Sequence, residues 1–248
     1  MKNIDIIIQA RSGSTRLPKK IFKPLANKPI LWHVYNRLKY SKLSSRIIIA
    51  TTDHPDDDEV ENFCVSNKID YFRGSAEDVL SRYFETAKKF GSDIIIRITS
   101  DCPVIDPEVL DNMIGDFLTS RETEKIDYLS NTIVRTLPRG LDIEIFTFKA
   151  LEKAHIEADN QYEHEHVTPY IYKHPEFFKL KNFTNEIDLS FHRWCVDTNE
   201  DLKLVEEIYN ALYFKKELFL LNDILKLFDE NPGLIDINKS AVQKKLGE

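Results

Sequence analysis

From Arg11 to Lys28 the chain carries six basic residues, Arg11, Arg16, Lys19, Lys20, Lys23 and Lys28, and no acidic one, although its net charge over 248 residues is −7. Cations gathered against the average sign mark a local anion site, and the acidic whole argues against a nucleic-acid or membrane-surface binder. Arg offers a planar fork to phosphate oxygens and Lys a point charge, while Ser12, Gly13 and Ser14 are small enough to let backbone N–H groups approach an anion. A solvated basic loop is the alternative reading of the same residues. Two carboxylates stand in comparable places: Asp101 lies two residues beyond the apolar run Asp93–Thr99, and Asp197 directly follows Phe191–Val196. Magnesium takes one or two protein carboxylates and completes its octahedron with water and phosphate, so this pair could hold one ion. Helix N-capping by Asp197 and a turn before Pro103 at Asp101 are the structural alternatives.

Residues so far apart need a scaffold that brings their loops together. Ile-rich runs at Ile4–Gln9, Arg46–Ala50, Ile69–Phe72 and Asp93–Thr99 predict strands. Between them Ile30–Tyr40, Asp56–Asn67 and Ala76–Phe90 predict amphipathic helices, the last with Ser75 as N-cap. Such alternation predicts an α/β protein with a buried parallel sheet, each crossover returning to the same sheet edge, and loops that share the carboxyl edge where ligands bind. A helix follows from Pro107 to about Ser120. Through Glu122–Asn185 the alternation weakens, with a strand expected at Leu141–Phe146 and helices at Lys149–Ala158 and Glu163–Tyr172. Phe191–Val196 reads as a further strand, Asn199–Tyr213 and Leu220–Asp229 as helices, and Asn231-Pro-Gly233 as a break.

Composition narrows the class. With 42% hydrophobic and 30% charged residues the chain has enough apolar material to fold, which excludes a disordered polypeptide. Three cysteines form no CxxC pair and fit no disulfide framework, so a reducing cytoplasmic setting is expected. Asp5 interrupts the first apolar run, and no stretch approaches the ~20 apolar residues of a membrane span, so neither a signal peptide nor a membrane anchor is expected. The phosphate-loop pattern Gly-x4-Gly-Lys-Ser/Thr and the dinucleotide pattern Gly-x-Gly-x-x-Gly are both missing. His164 and His166, two apart on a helix, diverge and make no zinc site. Trp194 and the Tyr- and Phe-rich segments read as core or interface.

The run Ala10-Arg-Ser-Gly-Ser-Thr-Arg-Leu-Pro-Lys-Lys20 resembles the nucleotide-binding loop of the cytidylyltransferases that activate 3-deoxy-manno-octulosonate and acylneuraminate, above all their relatives in spore-coat polysaccharide biosynthesis. The segments beginning at Arg73, Arg97, Pro138, Glu163 and Arg193 resemble the same branch in the same order: Arg-Gly-Ser-Ala-Glu-Asp-Val-Leu, Arg-Ile-Thr-Ser-Asp-Cys-Pro, Pro-Arg-Gly-Leu-Asp-Ile-Glu, Glu-His-Glu-His-Val-Thr-Pro and Arg-Trp-Cys-Val-Asp-Thr-Asn-Glu-Asp-Leu. The likeness spans roughly residues 4–213 and departs at Ser100, where the branch commonly has Gly, and at His164, where it has Arg.

The resemblance implies a Rossmann-like nucleotide-diphospho-sugar transferase fold with a mostly parallel central sheet flanked by helices. It implies one domain over 1–248, with an inserted acceptor and dimer section near 122–185 and a C-terminal helical extension at 214–248. It implies that Ala10, Arg11, Ser14, Arg16 and Lys20 surround the CTP phosphates with Arg73 and Thr99 in the same pocket. Asp101 and Asp197 would hold Mg2+, Lys20 and Arg16 would act in catalysis, and Arg139, Asp142, Glu144, Glu163, His166 and Arg193 would form the acceptor side. Exposed strand positions for Asp142 and Glu144 and a surface role for Arg193 are the plain alternatives. The implied reaction is magnesium-dependent transfer of CMP from CTP to an acidic sugar or other anionic acceptor, with pyrophosphate released, in a homodimer serving surface polysaccharide synthesis. Tyr128, Ile133, Val134, Leu137, Phe146, Phe148, Tyr170, Tyr172, Phe177 and Phe178 would be covered by the second subunit, the alternative being that they pack beneath the insertion against their own domain. A nucleotide-sugar glycosyltransferase using Asp142-Ile-Glu144, which leaves the basic loop idle, and a non-catalytic nucleotide-binding protein are the rival functions.

Overall fold

The computed structural model describes residues 2–14 and 16–241. Strand β1 (Ile4–Gln9) runs into the basic loop and a 3-10 turn at Lys20–Phe22, then a small hairpin of β2 (Pro24–Leu25) and β3 (Lys28–Pro29), and then α1 (Ile30–Leu38). Alternation continues through β4 (Arg46–Thr52), α2 (Asp58–Asn67), β5 (Asp70–Gly74), α3 (Val79–Phe90) and β6 (Ile94–Thr99). Helix α4 (Pro107–Thr123) leads to β7 (Tyr128–Ser130) and β8 (Glu144–Thr147), followed by α5 (Phe148–Glu157), α6 (Gln161–His166), α7 (Pro169–Lys173) and β9 (Leu180–Asn182). Helices α8 (Asn199–Leu212) and α9 (Leu221–Glu230) and a 3-10 turn at Pro232–Asp236 follow.

The main sheet has the order β5-β4-β1-β6-β8-β7-β9. The first four strands are parallel, whereas β8 is antiparallel to both β6 and β7, because no helix separates β7 from β8 to carry the chain back across. Nor does every crossover run to one edge. The chain moves from β1 to β4 and β5, then reverses to β6 on the other side of β1. The crevice beyond the carboxyl ends of β1 and β6 is therefore the topological switch point, where open α/β sheets bind ligands.

Side-chain alternation along β1 feeds two cores. Ile4, Ile6 and Ile8 pack on one face with Val34, Phe117, Trp194 and Tyr209, and Ile7 packs on the other with Tyr83, Phe84 and Leu151. Each fully buried Ile contributes about 1.5–3 kcal/mol, which makes β1 a rigid base for the loop that follows it. The Glu122–Asn185 section joins this sheet, since β7, β8 and β9 are three of its strands.

Several elements differ from expectation for local reasons. Helix α3 starts at Val79 with Asp78 as N-cap, accepting from the Ser81 amide at 2.8 Å, and Ser75 Oγ instead accepts from the Asp78 amide at 3.0 Å in the preceding turn. The Glu163–Tyr172 helix is two helices, broken at Val167, whose φ is +74°, ahead of Pro169. The Leu141–Phe146 strand begins only at Glu144, because the Asn131 side chain donates to Leu141 O at 2.6 Å and accepts from the Ile143 amide at 3.0 Å. Phe191–Val196 is no ladder strand. The Trp194 amide bonds Arg139 O at 2.7 Å and the Val196 amide bonds Asp101 O at 2.8 Å, both loop carbonyls. That close approach demands glycine at position 140, where φ is +103° and a Cβ would stand 2.7 Å from the Cys195 nitrogen.

Candidate active site

At the switch point the loop after β1 meets the turn after β6. Lys20 Nζ lies 2.9 Å from Asp101 Oδ2 and 2.8 Å from Asp197 Oδ1. Asp197 is brought there by the Val196–Asp101 backbone bond, so residues 81 and 177 positions from Lys20 converge on one ammonium. Asp197 Oδ2 also takes Arg16 at 3.1 Å and Arg193 at 2.9 Å, and Arg193 Nε continues to Asp201 Oδ1 at 2.9 Å. Three cations thus interlock with three carboxylates. Burial alone raises the Asp101 pKa, but the Lys20 charge and the Thr99, Lys20 and Cys102 hydrogen bonds outweigh it and hold that carboxyl at about 2. Burial lowers the Lys20 pKa, and Asp101 and Asp197 more than reverse this, leaving the ammonium above its ordinary range.

The structural alternatives for the two aspartates fall differently. Thr198, not Asp197, caps α8 in a capping box with Asp201, which frees the Asp197 carboxylate for the cluster. Asp101 does sit in a turn, yet its carboxylate points to Lys20. The two oxygens nearest Nζ already converge on one cation, so their arrangement suits a divalent ion of the kind that takes only two protein oxygens. Among the described residues no group of three or more His, Cys, Asp or Glu is placed to hold a metal.

A buried residue that sequence reasoning missed holds the loop itself. Asp57, 3% exposed, accepts from the Ser12 amide at 2.6 Å through Oδ1 and from the Thr52 hydroxyl through Oδ2. Ala10 anchors the loop's start by donating to Ala50 O at 3.1 Å, and Ser14 Oγ accepts from the Leu17 amide at 3.4 Å. Arg11 is exposed and has no ion-pair partner among the described residues. The loop therefore presents Arg11 from a base fixed at Ala10 and Ser12, an arrangement suited to an anion.

A sequence profile of the family described as Cytidylyltransferase matches residues 6–224. The chain belongs to the cytidylyltransferase family. A solved cytidylyltransferase from Leptospira borgpetersenii serovar Hardjo-bovis shares 38% identity and a TM-score of 0.90 over 98% of this chain and 100% of that one. An uncharacterised protein of Methanocaldococcus jannaschii is 37% identical over 98% of this chain and 97% of its own length. The spore coat polysaccharide biosynthesis protein SpsF of Bacillus subtilis is 32% identical over 94% and 96%.

The remaining site residues of this cytidylyltransferase fall into separate groups. Thr99 Oγ1 lies 3.3 Å from Cys102 Sγ, beside Asp101. Arg73 is not drawn into the cluster. On β5 it bonds Thr52 O at 2.9 Å, Glu61 Oε2 at 2.5 Å, Asp58 Oδ1 at 2.8 Å and His54 O at 3.0 Å, bracing the start of α2. Glu144 is buried, not solvent-facing: it pairs with Arg97 and accepts from Tyr128 Oη at 2.6 Å and Thr168 Oγ1 at 2.5 Å. His166 lies close enough to feel Arg97 and Glu144, and burial lowers its pKa. Glu163 is buried on the same helix. Asp142 pairs with Arg135 at 2.5 Å, and Arg139 forms an isolated parallel bridge with Arg193. Arg193 is no ordinary surface residue, since its side chain is 10% exposed and tied to Asp197 and Asp201. His164 bonds Asp78 Oδ2 at 2.9 Å and Ala158 O at 3.2 Å, away from His166, which packs on Tyr162.

Proposed function

We propose that this nucleotidyltransferase moves CMP from CTP to an acidic sugar or another anionic acceptor, with Mg2+ as its cofactor, for surface polysaccharide synthesis. The convergence of Lys20, Arg16, Asp101 and Asp197 at the β1–β6 switch point carries the reading. An acceptor oxygen attacks the α-phosphorus of CTP, the bond to the bridging oxygen breaks, and pyrophosphate leaves. Catalysis of this kind rests on positioning and on neutralising charge. Arg11, Arg16, Lys20 and loop amides hold the β- and γ-phosphates and stabilise the departing pyrophosphate. Asp101 and Asp197 would hold the magnesium ion, which when bound polarises the phosphoryl group and screens two anions from each other. The acceptor side is assigned to Arg139, Asp142, Glu144, Glu163, His166 and Arg193.

We place the enzyme in the cytoplasm as a homodimer. Among the described residues no helix is long and apolar enough to cross a membrane. Half of the apolar set expected at a dimer contact, Tyr128, Leu137, Phe146, Tyr170 and Phe178, is buried within the chain itself. Ile133, Val134 and Phe177 remain 45%, 60% and 54% exposed, and these support the pairing.

A pyrophosphate-release assay with CTP and Mg2+ against acceptors bearing hydroxyl, carboxylate or phosphate nucleophiles tests the function. Release dependent on one anionic acceptor is the expected result. Turnover only with a preformed nucleotide sugar would establish the glycosyltransferase instead.

A further inference from the structure

Lys20 occupies the point on which the two candidate metal ligands converge. Its Nζ takes one oxygen from Asp101 at 2.9 Å and one from Asp197 at 2.8 Å, and its side chain is only 15% exposed. Asp197 Oδ2 is meanwhile held by Arg16 and Arg193, and Asp201 by Arg193. In this arrangement the cluster is electrically balanced, and a divalent ion entering it would face three cations over oxygens already committed. A triphosphate changes that balance, because its oxygens compete for the same ammonium. Lysine suits the exchange: a compact charge on a flexible four-carbon stem can move between partners without moving the loop backbone.

We propose that Lys20 is a resident placeholder cation, which keeps divalent metal out of the Asp101–Asp197 pair until nucleotide phosphates draw its ammonium away. This deepens the CTP reading and rests on it. Metal and nucleotide then bind with positive coupling, and by linkage the factor by which CTP strengthens metal binding equals the factor by which metal strengthens CTP binding. The same device limits idle occupation of the carboxylates by divalent ions and makes the metal site complete only in the nucleotide complex.

The test is Mn2+ titration of the full chain, followed by the electron paramagnetic resonance signal of free Mn2+, with and without CTP. Without nucleotide, Lys20→Met should bind Mn2+ about tenfold or more tightly than wild type, since removing one charge a few ångströms away relieves a strong repulsion. Lys20→Gln should behave alike and serves if the first variant does not fold. Lys153→Met, which makes the same change in net charge on α5, where Lys153 pairs with Glu157 at 2.7 Å, should leave affinity unchanged, and Lys20→Met with Asp101→Asn should lose the gain. With CTP the wild type should gain more Mn2+ affinity than Lys20→Met does. Equal Mn2+ affinity of wild type and folded Lys20 variants without nucleotide would overturn the proposal. So would an equal gain in Lys153→Met. Failure of wild type to bind CTP at all is read separately, and defeats the nucleotide assignment.

Discussion

Asp101 and Asp197 hold one Lys20 ammonium between them, so each is expected to matter both for turnover and for stability. Asp101→Asn and Asp197→Asn should each lower kcat by at least about tenfold, because each removes charge needed in the transition state, and each should also lower the circular-dichroism melting temperature, because it leaves the largely buried Lys20 ammonium short of a partner. A wild-type rate in either folded variant would take that residue out of the site. Asp57 acts at one remove, as a positioning residue. Asp57→Ala strands the Ser12 amide and the Thr52 hydroxyl, each loss costing about 1–3 kcal/mol. CTP binding by calorimetry should weaken more in Asp57→Ala than in Asp57→Asn, whose amide oxygen can still accept from Ser12. Equal weakening in the two variants would assign the effect to charge instead of to loop anchoring.

Elements carry the site by fixing their own ends, and the hairpin beneath the basic loop shows how. His33 on α1 is buried and its Nε2 lies 2.6 Å from Leu25 O on β2, tying that hairpin to the helix. Burial, with Arg37 and Lys28 nearby, outweighs the Leu25 hydrogen bond and pushes its pKa from 6.5 down to about 4. The unfolded chain therefore takes up the proton first. Stability is fully present above pH 6.5 and is lost as pH falls toward 4, by about 2 kcal/mol between pH 7 and pH 5. Urea melts at the two pH values should show this drop in wild type and a smaller one in His33→Gln. Legibility in the sequence followed the same division between local and distant causes. The Ile-rich runs marked β1 and β6 because a strand buried on both faces needs apolar residues throughout. Phe191–Val196 has a similar pattern, yet its hydrogen bonds go to loops, since apolar alternation reports burial and not the partner of the backbone. The basic loop was legible through charge alone, and Asp101 and Asp197 through their place after apolar runs. Asp57 was not: it reads as one more acid at the start of α2, and its partner Ser12 is 45 residues away. Glu144 and Arg193 likewise gained their meaning only when the fold brought Arg97 and Asp201 to them.

At the scale of the molecule, the sheet gathers loops from three quarters of the chain to one edge, while its outer surface leaves Ile133, Val134 and Phe177 uncovered. Light scattering at micromolar concentration should give about twice the 29.0 kDa chain mass, falling to the single mass in Val134→Glu with Phe177→Glu. Phe178 is unsuitable for this purpose because it is buried, so a charge there would test folding. A wild-type mass near that of one chain would contradict the pairing.

Cytidylyl transfer requires attack at the α-phosphorus, and doubly labelled CTP reads this directly. With the α-phosphorus and the γ-phosphorus carrying different isotopes, the α label should join the acceptor as a CMP conjugate and the γ label should leave in pyrophosphate. Both signals should form at least about tenfold more slowly in Asp101→Asn. Appearance of the γ label in orthophosphate or on the acceptor would place the cleavage elsewhere in the triphosphate and contradict cytidylyl transfer.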